Sequence, residues 1–160
     1  LRDIISDPAS FSQNLLFATT VIPDEDAAIR MCELLLESGV DLQQKDSLKQ
    51  TPLYYVARDG KAKLAQFFIE QGCKVDEIDT YGQNAFFYCV NLGHLEVCKM
   101  FKAYGSEHDH IDDYQQTPIY YAIKSNRQDV FDWLLELGIN LKIIDRRGQG
   151  LVNFAVRHQR

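Results

Sequence analysis

The chain repeats itself every 33 residues, and that period limits its possible folds more than any other feature. Residues 51–83, 84–116 and 117–149 align without a gap, opening "TPLYYVA", "NAFFYCV" and "TPIYYAI". A longer copy runs from about Gln13 to Gln50, with "VIPDED" as an insertion between its two helices, and a partial copy fills 150–160. A unit this short cannot bury its own apolar faces, so neighbouring copies must share one core.

Each copy carries the signals of helix, turn, helix, turn. Thr51 and Thr117 are suited to cap a helix, with Pro52 and Pro118 at its first position. Leu53, Val56 and Ala57 fall at i, i+3 and i+4 and line one helix face, and Leu64, Phe67 and Phe68 repeat that spacing for a second helix after the break at Gly60. Gly72, Gly105 and Gly138 stand where a left-handed residue ends a helix. The stretch "DTYGQ", residues 79–83, is a turn with Gly82 free to take positive φ.

Composition narrows the function classes. With 160 residues, 46% hydrophobic and 25% charged, the chain suits an ordered domain with a sizeable core. A net charge of -6 disfavours nucleic acid and anionic membranes as partners. No apolar run reaches the roughly 18 residues of a membrane span, and no secretory leader pattern opens the chain. Cys32, Cys73, Cys89 and Cys98 show no CxxC spacing, so free thiols in the cytoplasm or nucleus are expected. Cys32, Cys89, Cys98 and Trp133 fall on apolar faces, as core residues do. Beginning at Leu1 and stopping inside the pattern, the sequence is expected to be part of a longer protein, whose next segment would cover Leu151, Val152 and Ala155.

In this register the sequence resembles the ankyrin-repeat family, whose signature is a 33-residue period with a T-P-L-H-x-A core. The resemblance rests on "TPL" at 51–53, "TPI" at 117–119, "LGHLEV" at 92–97, "LLESG" at 35–39 and "LLELG" at 134–138. Asp46, Asp79, Asp112 and Asp145 match the family's turn-opening aspartate, and His94 matches a residue type used at the start of the second helix. The resemblance implies an all-α solenoid of stacked helix-turn-helix units with projecting β-turn fingers. The sequence departs from the signature where Tyr54, Phe87 and Tyr120 replace its histidine. Asn84 and Ala85 replace Thr-Pro, and Gly150 is a poor cap. Lys49 and Gln115 stand where a turn glycine is expected, which predicts two turns of different shape.

Helical geometry then sorts the tyrosine pairs. Tyr55 points away from the core side, together with Arg58 and Asp59. Tyr88 with Leu92, and Tyr121 with Lys124, repeat that direction, while Tyr54 lies on the border between faces. The family resemblance implies that this outward face lines a concave partner-binding groove. Phe17, Tyr55, Tyr88, Tyr121 and Phe154 then form an aromatic row, beside turn tips bearing Leu48, Tyr81, Tyr114 and Arg147. Tyrosine and arginine are enriched at interface hot spots, and the row Gln50, Gln83, Gln116 and Gln149 suits a peptide backbone. A more specialised arrangement would be a methyl-lysine cage built from Tyr88, Tyr121 and Asp113.

The run "SEHDHIDDY", residues 106–114, holds metal-ligand types in His108, Asp109, His110 and Asp112, but their spacing matches no dedicated site. It reads as an acidic turn, with Asp113 favouring a basic partner segment. "KIIDRRGQ", residues 142–149, is basic, so charge runs from acidic to basic along the stack. No nucleophile triad, phosphate loop or paired-carboxylate motif is present, so neither catalysis nor a cofactor is expected. The expectation is a monomeric protein-protein interaction module. The alternative is a structural or regulatory part of a larger protein, such as a lysine methyltransferase.

Overall fold

A computed structural model describes residues 15–158. The start of the first copy near Gln13, and Gln159 and Arg160, lie outside the described residues. These hold nine helices: α1 (Leu15–Thr19), α2 (Glu25–Glu37), α3 (Pro52–Asp59), α4 (Ala62–Glu70), α5 (Ala85–Leu92), α6 (Leu95–Ala103), α7 (Pro118–Lys124), α8 (Gln128–Glu136) and α9 (Leu151–Arg157). Among the described residues there is no named strand, only an isolated antiparallel bridge between Ile144 and Gly150.

Two layers follow from the packing. One runs α1, α3, α5, α7, α9, and the other α2, α4, α6, α8, each helix packing on the next of its layer. Leu53, Val56, Ala57, Leu64, Phe68, Phe86, Phe101 and Leu134 are sealed between them in one continuous core. The expected all-α solenoid is therefore present. All four cysteines are free and buried, and Trp133 is half-buried against the core.

Local details refine the reading. Thr51 and Thr117 hold the N-cap positions in extended backbone, yet neither hydroxyl makes a capping bond. The Thr51 hydroxyl instead faces the buried Cys73 thiol, 3.8 Å away, and the first turn closes through the Thr51 carbonyl to the Tyr54 N–H. A side-chain cap does occur at Asp24, whose carboxylate accepts from the N–H groups of Asp26 and Ala27. The "VIPDED" insertion thus ends as the first turn of α2, which is 13 residues long against nine in α4.

The two turns expected to differ do not. Lys49 and Gln115 take φ of 61° and 59°, close to the 70° and 74° of Gly82 and Gly148. Surrounding hydrogen bonds outweigh the cost of a side chain in the left-handed region, about 1 kcal/mol per residue. All four turns therefore share one shape.

Candidate functional site

Four fingers project between the helix pairs, each built on its aspartate. In the second, the Asp79 Oδ1 accepts from the N–H groups of Tyr81 and Gln83, at 2.8 and 3.0 Å. The Asp79 N–H donates in turn to the Gln83 carbonyl. Asp46, Asp112 and Asp145 repeat the arrangement. Single backbone bonds link successive tips: Thr80 donates to the Leu48 carbonyl, Asp113 to Tyr81 and Arg146 to Tyr114.

The second carboxylate oxygen does different work. The Tyr88 hydroxyl donates to Asp79 Oδ2 at 2.6 Å, and the Gln50 amide donates both to that oxygen and to the Tyr88 hydroxyl. Tyr121, Asp112 and Gln83 form the same triad one unit on. Tyr55 donates to Asp46 at 2.8 Å. These are charge-assisted bonds in a poorly hydrated setting, where mutual polarisation strengthens each. Burial, and then the bond to the carboxylate, push the Tyr88 and Tyr121 hydroxyls far above the usual tyrosine range.

This changes what the aromatic row is. Tyr55, Tyr88 and Tyr121 are half-buried, with their hydroxyls committed to the finger aspartates. Phe17 and Phe154, expected at its ends, are buried at 4% and 5% exposure, so the exposed row does not extend to them. Phe17 packs edge-on against Tyr55, and Phe154 against Tyr120. Gln50, Gln83 and Gln116 are spent on the aspartates rather than offered to a peptide.

Tyr54, Phe87 and Tyr120 are core, at 2%, 1% and 1% exposure. The two tyrosines also anchor fingers. The single Tyr54 hydroxyl proton lies within reach of the carbonyls of Glu77 and Gln83, and that of Tyr120 within reach of those of Ile143 and Gln149.

The remaining expected site residues are spread over α3, α5, α7 and the third finger. Arg58 is exposed, paired with Asp59 at 3.0 Å and stacked 4.6 Å from the Tyr55 ring centre. Leu92 is half-buried. Lys124 stands over the Tyr121 ring at 5.7 Å. Asp113 is exposed and lies over Gly82, where a Cβ would come within 2.8 Å of its Oδ1. The carboxylate bonded to the Tyr121 hydroxyl is Asp112, already spent, and the Tyr121 ring face meets the chain's own Lys124.

Leu48, Tyr81 and Tyr114 are exposed at the tips, beside a second exposed row, Ile78, Ile111 and Ile144, that the sequence reading missed. Val152 and Val156 on α9 are exposed as well, so exposed apolar surface lies on both fingers and stack end. Among the described residues no three His, Cys, Asp or Glu side chains converge to hold a metal. His108 contacts Lys102 Nζ, while His110 donates to the Gly82 carbonyl and packs against Phe87. His94 donates to the Arg58 carbonyl, tying α6 to the end of α3. No helix is long and apolar enough to cross a membrane, among the described residues.

A solenoid of paired helices with hydrogen-bonded fingers is the architecture of a repeat interaction protein. The family profile for ankyrin repeats in three copies matches residues 24–112, and that for a single ankyrin repeat matches 114–146. The chain belongs to the ankyrin-repeat family, whose members generally act as protein-protein interaction modules. No curated protein matches it closely.

Proposed function

We propose that the chain binds an extended segment or loop of another protein along the finger side of the groove. The observation that carries this reading is the tip row Leu48, Tyr81 and Tyr114, exposed at 39–47% and tied together by backbone bonds. Fixing the loops that carry these side chains in the free protein lowers the ordering cost of binding. The half-buried Tyr55, Tyr88 and Tyr121, with Arg58, Asp59, Leu92 and Lys124 on the same helices, are accessible enough to add to the binding surface. Near the third finger Glu107, Asp109 and Asp113 are exposed acids, which favours a basic stretch of the partner there.

Selection from a displayed peptide library tests this reading. Tyr81→Ala with Tyr114→Ala removes exposed rings without touching the buried triads, and should abolish enrichment while leaving the melting temperature unchanged. Equal enrichment by the folded double variant sinks the proposal. Asp109→Lys with Asp113→Lys should weaken selected basic peptides selectively.

A further inference from the structure

The last finger departs from the other three. Its tip carries Arg146 and Arg147, at positions held by Ser47 and Leu48, Thr80 and Tyr81, and Asp113 and Tyr114. Together with Tyr121, Lys124, Phe154 and His158 they line a hollow of about 620 Å³ between α7, the finger and α9. That is within the size range of ligand-binding clefts, roughly 300–1,000 Å³.

Its electrostatics are one-sided. Lys124, Arg146 and Arg147 are exposed, and none makes an ion pair with a described acid. One carboxylate lines the hollow, that of Asp145, and it is already committed. It accepts from the N–H groups of Arg147 and Gln149, and from the Gln116 amide. Burial raises the Asp145 pKa, but these donors and the Arg147 charge outweigh burial and hold it below the usual range. Three cations against one anion leave this corner positive in a chain of net charge -6. Phe154 stands in the lining where the earlier units have tyrosine, so no hydroxyl reaches Asp145 from that position.

We infer that this hollow receives an acidic stretch of a partner protein, with aspartate or glutamate side chains between the arginine tip and Lys124. The inference rests on the groove reading and deepens it. Arginine forks match carboxylates in paired hydrogen bonds, and Lys124 adds a third charge from the facing helix. The cations sit on two separate elements around a wide opening. That arrangement suits several carboxylates along a chain better than one compact phosphate. With the acids near the third finger, it also gives the groove a polarity: the partner's basic part faces Asp113 and its acidic part the last finger.

Fluorescence anisotropy with labelled synthetic peptides tests the inference on the whole chain. The probes are a Glu- and Leu-containing peptide, its Gln counterpart, and a phosphoserine counterpart of one Glu. The Glu peptide should bind about tenfold tighter than the Gln form at low salt, with the gap closing at high salt. Arg146→Glu with Arg147→Glu should remove that advantage while melting as wild type does, whereas Arg30→Glu on α2 should leave it intact. Equal binding of Glu and Gln peptides, absence of Glu-peptide binding, or an unaffected arginine double variant each overturns the inference. A phosphoserine peptide about tenfold tighter than the Glu peptide overturns it in favour of a phosphate site. Leu48→Ala with Tyr81→Ala, at exposed tips that do not line the hollow, separates the two proposals. If it loses all peptides while the arginine variant keeps its Glu preference, the groove stands and the acidic site falls. The reverse pattern leaves the acidic site without the groove.

Discussion

The second and third fingers and the last one share a backbone and differ in what their aspartates hold. Asp79 and Asp112 each take two backbone N–H groups, a glutamine amide and a tyrosine hydroxyl. Asp145 takes the same backbone pair and a glutamine at 3.2 Å, but Phe154 offers no hydroxyl. Where the triad is complete, the polar groups are consumed and the surface left over is the tyrosine edge and the tip. Where it is incomplete, a cationic tip and Lys124 border a hollow. One scaffold thus serves internal cohesion in the middle of the stack and a charged recess near α9.

Removing the carboxylates tests that contrast most severely. Asp112→Ala strands a buried tyrosine hydroxyl, an amide and two turn N–H groups, and should cost about 3–4 kcal/mol in urea unfolding. Asp145→Ala should cost about 1–2 kcal/mol less, since no hydroxyl depends on it. Equal losses would erase the distinction between the fingers.

The hydroxyl can be removed from one region and supplied to the other. Tyr88→Phe should lose about 1.5 kcal/mol, and Phe154→Tyr should gain about 0.5–1 kcal/mol by completing the last triad. A destabilised Phe154→Tyr would show that the final unit cannot accommodate the bond.

Alkaline pH probes the same bonds. The Tyr88 and Tyr121 pKa values are raised above the unfolded 10.0 by burial and then by their aspartates. The folded state therefore holds protons that the unfolded state releases, and stability present below pH 10 falls as pH rises beyond it. Tyr88→Phe with Tyr121→Phe should flatten this fall. Burial raises Tyr54 and Tyr120 too, so the slope should not vanish.

The smallest effect lies in the turns. Lys49→Gly and Gln115→Gly relieve a left-handed side chain and should each add a few tenths of a kcal/mol up to about 1 kcal/mol in thermal unfolding. A loss at Gln115 would mean that its side chain contributes more than its backbone costs.

The architecture was legible because its signals are periodic. One spacing placed the helix pairs, and the apolar positions at i, i+3 and i+4 placed the core. The site was legible only in outline. Tyr55, Tyr88 and Tyr121 do face outward by helical angle, but angle says nothing of what a hydroxyl reaches. The triads join residues nine and 29 positions apart, an aspartate with a later tyrosine and an earlier glutamine, and that offset is visible only once stacking is known. The same blindness hid Tyr54, whose border position resolves to core because the next finger supplies two carbonyls for it. Lys49 and Gln115 were misread because residue preference was weighed without the surrounding hydrogen bonds.

The triads also carry a rule of succession. Each unit donates a glutamine to the aspartate of the unit after it and a tyrosine hydroxyl to the aspartate of the unit before it, so 51–83 and 84–116 present matching ends. A duplicated copy of 84–116 spliced after itself would find both of its bonds waiting. The middle of the stack can therefore lengthen by whole units, and the distance between the acidic third finger and the arginine finger becomes the heritable variable.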